Sequence, residues 1–248
     1  MNTIIEAFLW LFDPARFTGA NAIPVRIGEH LIYTGLAIAI AAAIAIPLGW
    51  FIGHTGKGRE IAIAASGAAR ALPSFGLILL LVLVLGVVNK SQGATAAFVI
   101  LAIPSILAGA YAGLEAVDRR TIDAARAVGM TEWQILWRVE IPLGLPLLIS
   151  GIRAGALQVV ATATLAAYIG LGGLGYYIFE GLGIQAYEEM LGGAILVAVL
   201  ALLIDGLFAL LQHFVVPRGV SAGRVTDNRS SSSRRRAVVV TTIERGKG

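Results

Sequence analysis

Long apolar runs separated by short polar turns set the pattern of this chain. Leu31–Ile52 is 22 residues without a charge. A bilayer crossing by a helix takes about 20 residues, so this run is read as the first span. His54–Glu60 (HTGKGRE) is a tight polar turn. Ile61–Val88 is apolar apart from Arg70 and is longer than one crossing needs, which places the span proper at Ala69–Val88. After the turn Asn89–Gly93 comes a third span, Ala94–Leu114, and then a long polar segment, Glu115–Glu140. Ile141–Phe179 is apolar except for Arg153 and holds a fourth span near Gly144–Tyr168, followed by a glycine-rich stretch. Glu180–Glu189 is polar and acidic, and Met190–Leu211 is the fifth span, with Asp205 inside it. At the start, Ile4–Phe12 contains Glu6 and is too short to cross, so it reads as an amphipathic helix lying at the interface.

Lipid offers no partner to a free backbone group, so a spanning segment must be a helix or part of a closed barrel. A barrel would show segments of about ten alternating residues, and none occurs here. The expected fold is therefore all-α and integral to the membrane, with about five transmembrane helices, or six if one of the long runs divides. Its parts are an amino-terminal interfacial segment (1–30), a membrane domain (31–214) carrying the polar segment 118–142, and a basic tail (215–248). Small residues recur at four-residue spacing within spans: Gly49 and Gly53, Gly109 and Gly113, Gly151 and Gly155. Such pairs let helices approach closely and predict a packed bundle.

Composition agrees with this reading. Hydrophobic residues make up 57% of the 248 and charged residues 14%, with a mean hydropathy of +0.82, whereas a soluble domain is about 25% charged. There is no cysteine, hence no disulfide scaffold. The first residues lack a basic leader and a small-residue cleavage site, so no secretory signal is expected. Charge placement orients the chain. With the amino end outside, the inner side holds Lys57, Arg59 and Arg70, then Arg119, Arg120, Arg126, Arg138 and Arg153, and the eight Lys and Arg from Arg218 onward. Only Arg16, Arg26 and Lys90 remain outside. The positive-inside rule then puts the polar segment and the carboxyl-terminal tail in the cytoplasm, with the chain in the cell (inner) membrane. The tail, with Ser230–Ser233 running into Arg234–Arg236, has a disordered composition. Its arginines suit contact with anionic lipid, and plain solvation fits equally.

The segment 118–142 reads DRRTIDAARAVGMTEWQILWRVEIP. Thr121 is the expected cap of a first helix, with Asp123 at its positive end. Gly129 ends that helix in a left-handed conformation. Thr131 and Gln134 form a capping box for a second helix, which Pro142 ends. The product is helix, tight turn, helix, standing out from the membrane, with Ala124, Ala125 and Ala127 as a small-residue face. A solvated loop, a DNA-reading helix-turn-helix and a docking element for a cytoplasmic protein all fit the pattern. Two capped helices argue against the first, and the lack of a third supporting helix argues against the second, so no nucleic-acid partner is expected.

Here the residues carry a resemblance. Asp123-Ala124-Ala125, then Gly129, then Val139-x-Ile141-Pro142 resembles the cytoplasmic "EAA" signature of ABC importer permeases: Glu-Ala-Ala, three residues, Gly, nine residues, Ile-x-Leu-Pro. Spacing agrees throughout, with Asp123 for Glu, Val139 for Ile and Ile141 for Leu. Four stretches narrow it: Ala71–Ser74, Val139–Leu143, Ser150–Arg153 and Ile169–Gly175. Together they are similar to permeases for osmoprotectants such as glycine betaine, choline, carnitine or proline betaine. Methionine-type permeases share part of this. The resemblance spans roughly Leu31 to Phe214. It implies a type I importer permease of methionine-permease-like fold, not itself an enzyme. The implied ATPase-coupling residues are Asp123, Ala124, Ala125, Gly129, Met130 and Pro142. Implied partners are cytoplasmic ABC ATPase subunits, an extracytoplasmic solute-binding protein and a second permease copy, identical or similar.

Other patterns are set aside or left open. Gly170-x-Gly172-x-x-Gly175 matches the dinucleotide fingerprint but follows a membrane helix instead of a strand. It is read as a re-entrant link or as a gate hinge formed by Gly170, Gly172, Gly173 and Gly175. Gly53–Gly58 (GHTGKG) fails the phosphate-loop spacing, so no ATPase is expected in the chain itself. His30, His54 and His213 are scattered without metal-ligand spacing, and no cofactor or metal is expected. Arg70, Arg153 and Asp205 are structural intramembrane charges. The arginines are expected to snorkel toward the cytoplasmic end, and Asp205 to pair with one of them. Gln158, Thr162, Thr164 and Tyr168 are candidates either for the solute path or for hydrogen bonds between helices.

Overall fold

The structure, a computed structural model, describes residues 2–215. The basic tail from residue 216, including Ser230–Ser233 and Arg234–Arg236, lies outside the described residues. Ten α-helices follow one another: α1 (Asn2–Leu11), α2 (Ile23–Thr55), α3 (Arg59–Ala71), α4 (Ser74–Leu85), α5 (Lys90–Glu115), α6 (Arg119–Ala127), α7 (Glu132–Ile135), α8 (Ile141–Ala163), α9 (Gly175–Ile184) and α10 (Tyr187–Val215). A π-helical turn, Leu136–Glu140, joins α7 to α8, and a 3-10 turn, Thr164–Ile169, extends α8. Four segments are long and apolar enough to cross a membrane: Ile23–Thr55, Val87–Glu115, Glu132–Ile169 and Tyr187–Val215. The pair α3 and α4, bent by 92°, supplies a fifth when counted as one broken span.

The elements depart from the sequence reading in four places. The first span begins at Ile23 instead of Leu31, because Arg26, Glu29 and His30 find partners along it and need no surface position. The run Ala69–Val88 is not one helix. Leu72 and Pro73 leave the helical path, since proline lacks a donor and pushes its predecessor out of the helical region. Pro142 does not end a helix. It lies at the first turn of α8, inside the run Glu132–Ile169, where the Ile141 amide donates to the Leu136 carbonyl five residues back. The widened π turn makes room for the proline ring, which would collide with the carbonyl four residues before it in a regular helix. Finally, α1 does more than lie at the interface. Ala7, Trp10 and Leu11 are buried while Ile5, Leu9 and Phe12 are exposed, and the Trp10 ring seats against Gly192 of α10, where a Cβ would come within 2.5 Å of it.

The core is built around α5, whose buried face runs from Gly93 to Leu114. It is held between α2 and α8 by backbone-to-backbone approach. A Cβ on Gly109 would lie 2.7 Å from the Leu147 carbonyl and 2.8 Å from the Gly151 Cα, and one on Gly113 would lie 2.6 Å from the Gly144 carbonyl. Gly49 and Gly53 meet Ala110, Tyr111 and Leu114 in the same way, and Gly155 faces Ile106. The small-residue pairs seen in the sequence therefore lie along the two seams of α5. The outer surfaces are apolar: Ile32, Leu36, Ile44 and Phe51 of α2 and Leu202, Leu203, Leu207 and Phe214 of α10 are exposed, as lipid contact requires. A second apolar cluster joins α1, α9 and α10 through Trp10, Leu11, Leu174, Tyr177 and Leu200.

Candidate functional site

The segment 118–142 closes one end of the bundle. Its first helix starts earlier than expected. Asp118, not Thr121, is the cap, with its carboxylate accepting from the Arg120 amide at 2.9 Å. Asp118 is extended, which suits the cap position, and Thr121 falls inside the first turn. Gly129 has φ +85°. Its amide donates to the Arg126 carbonyl at 2.9 Å, and the Met130 amide to the Ala125 carbonyl at 3.1 Å. These two bonds are a Schellman motif, which satisfies the last carbonyls of α6. The Thr131 hydroxyl accepts from the Gln134 amide at 3.3 Å, and the Gln134 side chain accepts from the Thr131 amide at 3.0 Å, completing the capping box.

Arg126 then clamps the two helices together. It donates to both Glu132 oxygens, at 2.7 and 3.0 Å, and to Asp123 at 3.3 Å. The Glu132 hydrogen bond raises the Arg126 guanidinium above its ordinary pKa, with the nearby carboxylate charge acting the same way. The expected small-residue face is split: Ala124 and Ala127 are exposed and Ala125 is turned inward. Asp123 and Gly129 are exposed, and Met130 and Pro142 half-buried. Val128, at 79% exposure, and Trp133, at 68%, stand at the tip of this end.

Residues that sequence reasoning missed tie the segment to the bundle. His54, at the end of α2, meets the buried Glu140 at 2.5 Å through Nδ1, with Glu132 at 3.9 Å from its other nitrogen. Arg59 pairs with Glu115 at 3.4 Å. Trp137 stacks edge-on against both Trp50 and Trp133. The tryptophans at 133 and 137, one helical turn apart, were a readable sign of a shared face. The His54–Glu140 contact spans 86 residues and has no local signature.

Of the three intramembrane charges, two neutralise each other. Arg153 donates to both oxygens of Asp205, at 2.5 and 2.6 Å, joining α8 to α10. Arg70 is exposed and in no ion pair among the described residues. It lines a cavity of about 590 Å³ with Leu72, Ser74, Leu101, Ser105, Ala154 and Gln158. Leu101 lies 11 residues from one end of α5 and 14 from the other, about 16 and 21 Å at helical rise. The cavity is therefore at mid-depth.

The four candidate path residues are not brought together. Gln158 lines the cavity. The Thr162 hydroxyl donates to the Gln158 carbonyl at 2.8 Å and the Thr164 hydroxyl to the Ala161 carbonyl at 2.7 Å. Both bond their own helix instead of a neighbour. Tyr168 stacks edge-on between Phe75 and Phe179, 61% exposed.

At the opposite end from segment 118–142, the glycine-rich stretch is fastened in place. Gly172 and Gly173 have φ of +77° and +70°, left-handed values that glycine adopts without strain. This lets the Gly173 amide reach the Glu29 carboxylate at 2.8 Å and the Leu174 amide reach His30 Nδ1 at 3.3 Å. His30 Nδ1 thus accepts, so Nε2 carries the hydrogen and donates to the Val160 carbonyl at 3.0 Å. Lys90 donates to the carbonyls of Ile169 and Gly170 at 3.1 and 2.9 Å. Gly170 is also left-handed, and Gly175 opens α9 packed against the Thr164 carbonyl. Arg26, paired with Glu29, lies over the Tyr176 ring at 4.0 Å. Burial pushes the Tyr177 hydroxyl up to about 12. It stays protonated and donates to the Asn21 carbonyl at 2.7 Å.

Residues 45–219 match the family model described as "Binding-protein-dependent transport system inner membrane component". The chain belongs to this family. Among similar proteins is the glycine betaine/carnitine/choline transport system permease protein OpuCB of Bacillus subtilis (strain 168). It is 34% identical over 203 residues, covering 82% of this chain and 93% of that protein. The choline transport system permease protein OpuBB of the same organism is 33% identical, covering 77% and 88%. In fold, this inner membrane component is similar to a chain of the MetNI methionine ABC transporter in an inward-facing conformation. The TM-score is 0.69 at 23% identity, over 77% of this chain and 95% of that one. The all-α fold with a broken second span is thus that of an ABC importer permease.

Proposed function

We propose that this chain is the membrane-spanning subunit of an ATP-driven importer for osmoprotectants such as glycine betaine, choline, carnitine or proline betaine. The observation that carries this reading is the similarity to OpuCB across almost the whole of that permease. The capped α6–α7 segment is the docking element for cytoplasmic ABC ATPase subunits, with Asp123, Ala124, Ala125, Gly129 and Met130 at or beside its turn and Pro142 at the base of α8. This end and the carboxyl terminus face the cytoplasm, which agrees with the Lys and Arg that this orientation puts inside: Lys57, Arg59, Arg119, Arg120, Arg126, Arg138 and the eight of the tail. Energy comes from the ATPase, an extracytoplasmic binding protein delivers the solute, and a second permease copy completes the path. Arg153–Asp205 holds α10 on α8, and the fastened glycine stretch forms the extracytoplasmic rim, where it acts as a gate.

The test is uptake of labelled glycine betaine by cells lacking their own osmoprotectant importers. The chain is expressed with its cognate ATPase and binding protein, and uptake is followed after hyperosmotic shock with and without the ATPase. ATPase-dependent uptake supports both the transporter and the solute class. An assembled complex that carries no betaine but carries methionine overturns the solute class alone. Failure to assemble with an ATPase overturns the docking assignment.

A further inference from the structure

Of Arg70, Arg153 and Asp205, the last two pair with each other, and Arg70 has no carboxylate partner among the described residues. A charge at bilayer depth is retained where it faces a water-filled cavity or a partner. Arg70 borders the open cavity described above, whose lining residues Leu72, Ala154 and Gln158 are exposed as well. The chain also leaves its helical path at Leu72–Pro73 beside that cavity, and irregular backbone at membrane depth is tolerated where it lines water.

The other polar groups on the cavity wall are the hydroxyls of Ser74 and Ser105 and the amide of Gln158. None of them carries a charge. Among the described residues the cavity therefore presents one fixed positive charge, with neutral hydrogen-bonding groups around it and no acidic group. At about 590 Å³ it is of the size that holds small molecules.

We propose that this cavity is a solute site on the path, in which Arg70 receives the carboxylate of a zwitterionic solute while Ser74, Ser105 and Gln158 supply neutral hydrogen bonds. Guanidinium and carboxylate match in a two-pronged geometry that a lone ammonium does not offer. This inference rests on the osmoprotectant reading and sharpens it. Carboxylated betaines are the preferred cargo, and choline, which has the quaternary ammonium but no carboxylate, gains nothing from Arg70.

The experiment uses the full complex, with its ATPase and binding protein, in proteoliposomes. Uptake of labelled glycine betaine and of labelled choline is measured for wild type, Arg70→Gln and Arg70→Lys, with complex recovery checked by gel filtration. Loss of a charged hydrogen-bonded pair is worth about tenfold or more. Arg70→Gln is therefore expected to lower glycine betaine uptake at least tenfold relative to choline or, where wild type passes no choline, relative to recovered complex. Arg70→Lys, which keeps the charge and loses the fork, is expected to fall between. Equal loss of both solutes, undiminished glycine betaine uptake, or loss of assembly in both variants overturns the proposal, the last by making Arg70 a contact to another chain. A wild type that carries choline only also overturns it and leaves the importer reading standing. A wild type that carries neither solute overturns the osmoprotectant reading itself, before any substitution is made.

Discussion

Gly129 offers a way to separate the shape of the proposed docking turn from its surface. Its φ of +85° lies in the left-handed region, and a Cβ built there meets nothing within 4 Å. Substitution thus carries a conformational cost within this chain and no internal clash. For an ordinary L-residue the left-handed region costs about 1–2 kcal/mol. Because 1.4 kcal/mol is about tenfold, the Schellman turn would be populated up to about 5 to 30 times less relative to frayed alternatives. Asparagine tolerates this region better than alanine, and a β-branched residue worse. The series Gly129→Asn, Gly129→Ala, Gly129→Val therefore orders one way by backbone cost, while side-chain volume puts asparagine beyond alanine and close to valine. Uptake per ATP hydrolysed, measured in proteoliposomes, is expected to fall in the backbone order. A fall in the volume order would show that a partner packs against this position and that turn geometry is secondary. Three variants with wild-type coupling would refute the assignment of the turn to force transfer.

Other outcomes follow from the packing. Gly109→Ala drives a methyl into the Leu147 carbonyl and the Gly151 Cα. Overpacking costs about 1–3 kcal/mol and helix propensity returns up to about 1, so a net loss of about 1–2 kcal/mol is expected in reversible unfolding, while Gly67→Ala, with nothing near its Cβ, should lose nothing. Trp10→Ala removes the buried ring seated on Gly192 and is expected to cost about 3 kcal/mol. It should also release α1, read as faster proteolysis within the first 12 residues. Asp205→Asn leaves Arg153 without its carboxylate and should lower the melting temperature in detergent, with the exchange Arg153→Asp/Asp205→Arg recovering most of the loss. A double variant no better than the single would deny the pair a role in holding α10.

Much of this architecture could be read from the chain because hydropathy and turn chemistry act locally. The spans, the left-handed Gly129, the Thr131–Gln134 box and the small-residue seams each depend on residues within a few positions of one another. What escaped depends on distance in sequence. The early start of α2 is set by Glu29 and His30 meeting the amides of Gly173 and Leu174, 144 residues away. His54 owes its position to Glu140. The fate of Pro142 turned on a π turn that rescued the helix around it. The placement of Arg70 followed from the 92° break at Pro73, which converted a residue near the start of an expected straight span into one at mid-depth. Local rules found the elements, and long-range partners decided where the polar residues among them ended up.

The continuity of residues 132–169 constrains how the proposed docking at α6–α7 would reach the cavity. Arg126 bridges to Glu132 and links movement of α6 to α7. α7 runs into α8 without leaving the helical path, and Ala154 and Gln158 of α8 form part of the cavity wall. From Glu132 to Gln158 is 26 residues, about 39 Å of helix. A rod of that length transmits tilt directly, with the π turn at Leu136–Glu140 as the place where its hydrogen-bond ladder is most easily re-paired. α8 meets α5 at Gly109, Gly113, Gly144 and Gly151 through bare backbone, with side-chain packing such as Ile106 on Gly155 further along. Such close-packed contact transmits displacement from one helix to the next. On the proposed reading, a turn gripped at one end displaces the cavity wall that α8 supplies, while the far rim stays held by Glu29, His30 and Lys90. Movement of the rim requires breaking those bonds, so the proposed gate is set apart from the docking end in energy as well as in space.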